Sequence, residues 1–364
     1  MSTKKALFRT TLFAVFSAGS VHASAQSSVT IYGVIDTGIT YFSNIRGSSA
    51  WSESSGANNP SRWGMIGAED LGDGSKAVFR LENGFSSTTG AFASSAQEFN
   101  RAATVGLQNS RYGTVSFGRQ TDFMVQLLPV TGIIGTIYAY HPGDYDRIAG
   151  EFLSNTVSYE SPRWAGAHFG ALYSFGSSVS PASNTGRGLS FVLDYQLGSL
   201  TAVAAMTDLN GVNINPAAIG LAKDFGEALP PTLATGINID NLSTYGAGVS
   251  YTMGSWRISG AYSRTYLRAL SVTETLQTGD FSMFYHVSPA FIVSANYARS
   301  AGLNGRWNVG SAMADYFLSK RTDVYVATVY QRVGSEGQHA ALLFQTPSSS
   351  ASQMAVRVGM THRF

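Results

Sequence analysis

The chain has 364 residues, no cysteine, 13% charged residues and a formal net charge of +2. Without cysteine there is no disulfide framework and no thiolate metal or redox site. Lys4, Lys5 and Arg9 precede every acid, so beyond them 24 less 3, or 21, Lys and Arg stand against 22 Asp and Glu. That near-balance offers no nucleic-acid footprint.

Residues 1–25 read as a secretory signal peptide. Lys4, Lys5 and Arg9 form its positive start, Leu12 to Val21 its short apolar stretch, and Ala23-Ser24-Ala25 its small-residue cleavage site. The apolar stretch is far shorter than the roughly 20 residues a spanning helix needs. The exported chain then runs from Gln26 as one domain, 26–364, with no linker or composition shift. It contains no run of 18 apolar residues, so no transmembrane helix is expected.

Alternating segments succeed one another along this domain. In 29–41, Val29, Ile31, Ile35, Ile39 and Tyr41 share one side, and Thr30, Tyr32, Asp36 and Thr40 the other. Such a period of two marks a strand with one oily and one wet face. Further strands are expected at 76–85, 167–175, 190–195, 200–206, 245–251, 256–262, 291–297, 309–317 and 323–331. The last is 354–364, with Met354, Val356, Val358, Met360 and Phe364 on one face and Arg357 and Arg363 on the aqueous one.

Seven tight turns are signalled by Gly, Pro, Asp, Asn and Ser. They fall at 70–74, 109–113, 161–166, 197–199, 253–255, 288–290 and 319–321. Eight longer connections are expected at 43–60, 87–98, 121–151, 176–187, 208–243, 265–274, 300–306 and 333–351. Seven short and eight long connections join sixteen antiparallel strands, the asymmetry of a transmembrane barrel with its termini on the short-turn side. Aromatics near strand ends, among them Tyr41, Trp63, Trp164, Tyr251, Trp256, Tyr262 and Trp307, suit rings at the headgroup level. The alternative architecture is a secreted β-sandwich binding module.

The six histidines are scattered without ligand spacing, and no Gly-x-Ser-x-Gly elbow, P-loop or dinucleotide fingerprint is present. No cofactor, metal or catalytic residue is expected. A barrel enzyme would need a Ser/His or Asp/His constellation at a strand rim.

Several segments taken together resemble the general porins of Gram-negative outer membranes, especially the betaproteobacterial branch. They include Ser28-Val-Thr-Ile-Tyr-Gly-Val-Ile-Asp36, Ser61-Arg-Trp-Gly64, Gly67-Ala-Glu-Asp-Leu-Gly72, Gly113-Thr-Val-Ser-Phe-Gly-Arg-Gln120, Leu318-Ser-Lys-Arg-Thr-Asp-Val-Tyr-Val326 and the ending Val358–Phe364. The resemblance runs along the whole exported chain. It implies an all-β fold, a 16-stranded antiparallel transmembrane β-barrel with an inward-folded third loop. It also implies a homotrimer in the outer membrane that passes ions and small hydrophilic solutes by passive diffusion. A substrate-specific channel of the same architecture is the nearest alternative.

Arg62 and Arg101 match positions of that family's arginine ladder. Arg62 lies opposite Trp63 and Met65, and Arg101 opposite its even-numbered neighbours. Arg80 and Glu82 share the face turned away from Phe79 and Leu81, so they too are pore-lining candidates. Arg119 and Arg147 are further basic candidates, with a subunit contact as the other use of Arg119. In the third loop, 121–151, the stretch from Pro129 to Tyr140 is uncharged where relatives carry an acidic turn. Asp144, Asp146 and Glu151 are the remaining acids for that side. Cations facing acids across a lumen orient dipolar solutes, and an excess of arginine favours anions, so a mild anion preference is expected. Phe364 is the terminal aromatic that the outer-membrane assembly machinery recognises in related porins. The implied partners are the chain itself, membrane lipid, that machinery, and ions and small solutes; nucleic acid is not among them.

Overall fold

The computed structural model describes residues 28–176, 185–221, 236–269, 271–334 and 338–364, with the backbone of a small strand pair, Lys223–Asp224 and Glu227–Ala228. The leader at 1–25 lies outside the described residues, as does part of the connection 208–243.

Alternation of side chains across each strand builds one antiparallel sheet that closes on itself. The first strand, β1 (Ser28–Ile45), pairs with both ends of the chain's order. The second is broken into β2a (Ser48–Ser55) and β2b (Arg62–Gly72), which pair with the upper and lower parts of β1. Then follow β3 (Ser75–Gly84), β4 (Ala102–Asn109), β5 (Gly113–Thr121), β6 (Phe152–Glu160), β7 (Ala167–Phe175) and β8 (Arg187–Leu197). The circuit continues through β9 (Leu200–Ile214), β10 (Ile237–Met253), β11 (Trp256–Ala269), β12 (Val272–Ser288) and β13 (Phe291–Gly302). It ends with β14 (Gly305–Ser319), β15 (Thr322–Val333) and β16 (Ser352–Arg363). Counting β2a and β2b as one, sixteen strands close the barrel. Closure satisfies every strand edge, the condition for spanning lipid without water to solvate the backbone. A β-sandwich is therefore set aside.

β16 pairs with β1 from Phe42↔Ala355 to Val34↔Arg363, and Phe364 and Gly33 exchange two backbone hydrogen bonds of 3.1 Å. Outward apolar residues such as Val29, Ile31, Leu193 and Val358 are more than half exposed, as a lipid-facing surface requires.

All seven tight turns lie where the sequence puts them. Four of the eight long connections are shorter than the sequence suggests: 208–243 loses both ends to β9 and β10, which pair out to Ile214 and Ile237, and three others become tight hairpins. β1 runs on to Ile45 and turns at Arg46-Gly47; β11 and β12 pair out to Ala269 and Val272; β13 and β14 turn at Leu303-Asn304. Both turn residues of the first and last have positive φ (53° and 103°, 49° and 56°), the geometry whose twist matches a hairpin. These strands extend past the apolar band, where their outer faces become polar and the period of two fades from the sequence.

The barrel is not hollow at its long-loop end. One inner cluster joins Phe123, Met124, Leu127, Val130 and Ile148 of the third loop to the inner walls of β6–β9. A second joins Tyr138 and Ala139 of the same loop to Phe42, Val309, Val329 and Ala355. A third gathers Tyr145, Ile219, Leu221, Leu242, Leu276 and Trp307. Trp307, expected in the headgroup girdle, is inward and 1% exposed. It occupies an inward position of β14, and loop residues cover it.

Arg357 is inward, but it does not meet the aqueous lumen. β2a and the inward bend at 56–61 seal it to 1% exposure. It pairs there with Asp36 at 3.3 Å. Arg363 lies on the same face and is partly exposed, bonded to Asp323.

Candidate functional site

The inner wall of β2b–β4 carries a charged cluster centred on Glu82, which is 1% exposed. Arg80 Nη2 stands 2.7 Å from Glu82 Oε2, Arg101 Nε 2.7 Å from Oε1, and Arg62 Nε 3.7 Å from Oε2. Tyr32 donates its hydroxyl to Oε2 (2.7 Å) and accepts from Arg80 Nε (3.0 Å). Register explains the convergence. Tyr32 is opposite Gly64, Gly64 opposite Glu82 and Ile66 opposite Arg80, so these positions all point inward. Gly64 is a requirement of close approach: a Cβ there would lie 2.9 Å from the Tyr32 ring.

Arg101 arrives by another route than alternation. Ala102 and Thr104 face inward with Glu82 and Arg80, so strict parity would turn Arg101 outward. It precedes the first residue of β4, free of the pleat, and its side chain folds in to Glu82. Arg62 also donates to the Pro60 carbonyl at 2.8 Å.

Arg119 does not join this cluster. It follows a bulge at Gly118 (φ 124°) and donates to the Asn100 carbonyl and Ser154 Oγ, each at 2.7 Å. Arg147 forms an ion pair with Glu151 at 2.7 Å. The two neutralise each other beside β7 and β9 rather than facing the arginines.

The acids expected of the third loop are each held by a partner of their own. Asp146 is 1% exposed and accepts from Ser263 of β11 at 2.6 Å. His141, also buried, lies with Nδ1 2.5 Å from Asp146 Oδ2 and Nε2 2.8 Å from Asp280 Oδ2 of β12. Despite burial, these two carboxylates hold the His141 pKa well above its ordinary value. His141 and Ser263 in turn hold Asp146 below the usual carboxylate range, against the effect of its burial. Asp144 takes back the Ala149 amide at 3.1 Å; burial, then the charge of Asp146, push its pKa up to about 8. Asp122 accepts from the Glu151 amide at 3.0 Å, and burial pushes it up to about 7. Asp146 is thus an anchor, not a pore-lining acid, because the loop needs a counter-charge for buried His141.

Between the cluster and the start of the loop lies a cavity of about 440 Å³, lined by Arg80, Glu82, Arg101, Val125, Gln126 and Glu160 among others. The loop's contribution beyond Asp122 is uncharged. Glu160 is the acid that the sequence reading missed. Its inward parity on β6 is the signal that could have found it, opposite Thr114 and Gly170. Tyr32 was placed on the correct face but given no role. Nothing in the spacing of His141 and Asp280 marks them as partners.

A barrel of sixteen strands, narrowed inside by its third loop against an arginine wall, can now be set beside known proteins. The family described as Gram-negative porin matches residues 10–336. The chain belongs to the Gram-negative porin family. An outer membrane porin protein of Bordetella pertussis is 31% identical over 99% of this chain and 100% of its own length. Outer membrane porin protein 32 of Delftia acidovorans is 30% identical over 68% of this chain and 67% of its own. Among solved structures, the anion-selective porin from Comamonas acidovorans superimposes with a TM-score of 0.73 at 23% identity, over 93% of this chain and 100% of that one. This porin is therefore a multi-pass protein of the outer membrane that forms a channel, with the charged cluster on its inner wall.

Proposed function

We propose that this porin is a water-filled pore for passive diffusion of ions and small hydrophilic solutes, with a mild preference for anions. Charge balance at the constriction carries the reading: three guanidiniums, Arg62, Arg80 and Arg101, gather on one carboxylate, Glu82. The facing loop adds no counter-charge beyond buried Asp122, and Glu160 is the other acid on this cavity. A positive ring raises the local concentration of anions and repels cations. The anion-selective porin from Comamonas acidovorans has the same fold.

Export and assembly belong to the same proposal. Residues 1–25 direct export and are removed, Phe364 is the insertion signal, and three copies associate in the membrane. Reversal potential across a KCl gradient tests the selectivity: a potential of the anion sign is expected, and a clear cation sign would overturn it. Heat-modifiable migration of the purified protein tests the trimer.

A further inference from the structure

Three rising strands on one side of the barrel repeat the same outward pair. β11 has Tyr262-Ser-Arg264, β13 has Tyr297-Ala-Arg299 and β15 has Tyr330-Gln-Arg332. The tyrosines are 45–51% exposed. Their partners on the neighbouring strands keep them on the lipid side: Arg264 is opposite Tyr245, Tyr262 opposite Gly279, and Arg299 opposite Asn308. Tyr262 donates to Gln277 (2.8 Å) and Tyr297 to Asn308 (2.7 Å), as rings at the edge of the apolar band do.

The arginines stand one pleat further from the short-turn end. Arg264 is eight residues beyond Trp256, the first residue of β11. At about 3.3 Å per residue and a tilt near 45° that is roughly 19 Å up, at the top of an apolar band about 25 Å tall. A long guanidinium reaches higher still.

None of the three forms an ion pair among the described residues. Arg264 Nε is shielded and has no hydrogen-bond partner, and its guanidinium lies 5.0 Å from the Tyr266 ring centre. It sits in an outer depression of about 620 Å³ with Tyr245, Tyr262 and Tyr266. Arg299 and Arg332 flank Asn308 in one register row. Two strand spacings separate them, about 10 Å. Arg268 and Arg306 add exposed charge on the same wall. Asp208 of β9 is already held by Asn241 and Ser243, and Asp240 of β10 is exposed beside Asn241, the register partner of Arg268.

Elsewhere the pattern is absent or used up. β9 carries Asp208 at the matching height, and β5 has Phe117-Gly-Arg119 with its guanidinium bonded to Asn100 and Ser154. These arginines, aligned above tyrosines and facing lipid, form no ion pair among the described residues. We propose that the β11–β15 wall binds a multiply phosphorylated lipid of the outer leaflet, its phosphates on Arg264, Arg299 and Arg332 and its acyl chains along the tyrosines. Such binding requires only a membrane-spanning barrel and is independent of pore selectivity.

The test uses the whole purified barrel in neutral detergent mixed with diphosphorylated or dephosphorylated lipid A. Retained lipid is measured after gel filtration. A basic side chain near a charged lipid surface contributes about fivefold in binding. The wild type should hold the diphosphorylated form strongly and the dephosphorylated form weakly. Replacing Arg264, Arg299 and Arg332 together with Gln should reduce retention by about 100-fold, and replacing them with Lys should restore part of it. Equal retention of the two lipids by the wild type would overturn the proposal without any variant. Undiminished retention by a triple Gln variant of normal heat-modifiability would overturn it too. Conductance of the same preparations reports separately on the channel.

Discussion

His141 of the third loop and Asp280 of β12 stand 2.8 Å apart, Nε2 to Oδ2, with both side chains cut off from water. This contact holds the loop to the wall opposite the arginine cluster. With Asp146 on its other ring nitrogen, His141 is a cation between two anions. Removing it leaves two buried carboxylates without their shared counter-charge, an arrangement that costs several kcal/mol. His141→Gln should lower the midpoint of thermal unfolding and add current noise as the loop loosens. Quiet single-channel traces at wild-type conductance would argue against an anchor.

The same contact gives the loop a pH dependence. The folded pKa of His141 is raised, so its stabilisation is complete below about 6.5, its unfolded value, and fades as pH rises through the folded one. Asp146 is depressed, so its stabilisation is present above about 3.9 and is lost as pH falls through the folded value. Asp144 is raised to about 8. Its unfavourable ionisation therefore destabilises progressively above about pH 4, fully so beyond pH 8. The window of firm anchoring lies on the mildly acid side of neutrality. Channel noise should rise from pH 6 to pH 9, and it should fall across that interval if the assignment is wrong.

Charge reversal at Arg101 tests the constriction. Arg101→Glu changes three cations around one acid into two cations around two acids. The anion-to-cation permeability ratio should drop on the order of tenfold, read as a shift in reversal potential. Glu160→Gln should move it modestly the other way. A potential unmoved by the first variant would remove Arg101 from the narrow part of the pore.

The barrel was legible because each transmembrane strand keeps a period of two and each short turn has its own chemistry. What was not legible lay where water replaces lipid outside. At 265–274 and 300–306 the strands continue with polar outer faces, so Thr265–Ala269 resembled a loop. Parity turns Arg62, Arg80 and Glu82 to the inward face, in agreement with their register, since all three lie within strands. Arg101 was reached through family resemblance, because it sits one residue before β4, where parity does not apply. Asp146 was misplaced because its role depends on His141 and Asp280, 139 residues apart in sequence and joined only by the fold. No local pattern carries that pairing.

Deleting Phe364 removes the two backbone hydrogen bonds to Gly33 and a terminal aromatic that is 44% exposed on the outer face. The β1–β16 ladder from Val34 to Phe42 remains, so the closed barrel should keep its conductance. The loss should instead appear in the yield of heat-modifiable protein in outer-membrane fractions. Unchanged yield would separate Phe364 from assembly.

The closing seam itself depends on Asp36 and Arg357. Asp36 Oδ1 accepts from Arg357 Nη2 (3.3 Å) and the Asn58 amide (3.2 Å). Its Oδ2 accepts from Tyr325 (2.9 Å) and Thr361 (3.0 Å). Arg357 spends its other donors on Tyr325, Thr40, Ser54 and the Gly38 carbonyl. Both charges are saturated, so the pair ties the first strand to the last and to the bend that covers them. Arg357→Met should destabilise the barrel by about 3–5 kcal/mol, because Asp36 is left as an uncompensated buried charge. Adding Asp36→Asn removes that charge and should recover part of the loss. Urea unfolding in detergent, followed by heat-modifiability, measures both variants. If the double variant is no more stable than Arg357→Met alone, the cost lies in the lost packing of the arginine rather than in the stranded carboxylate.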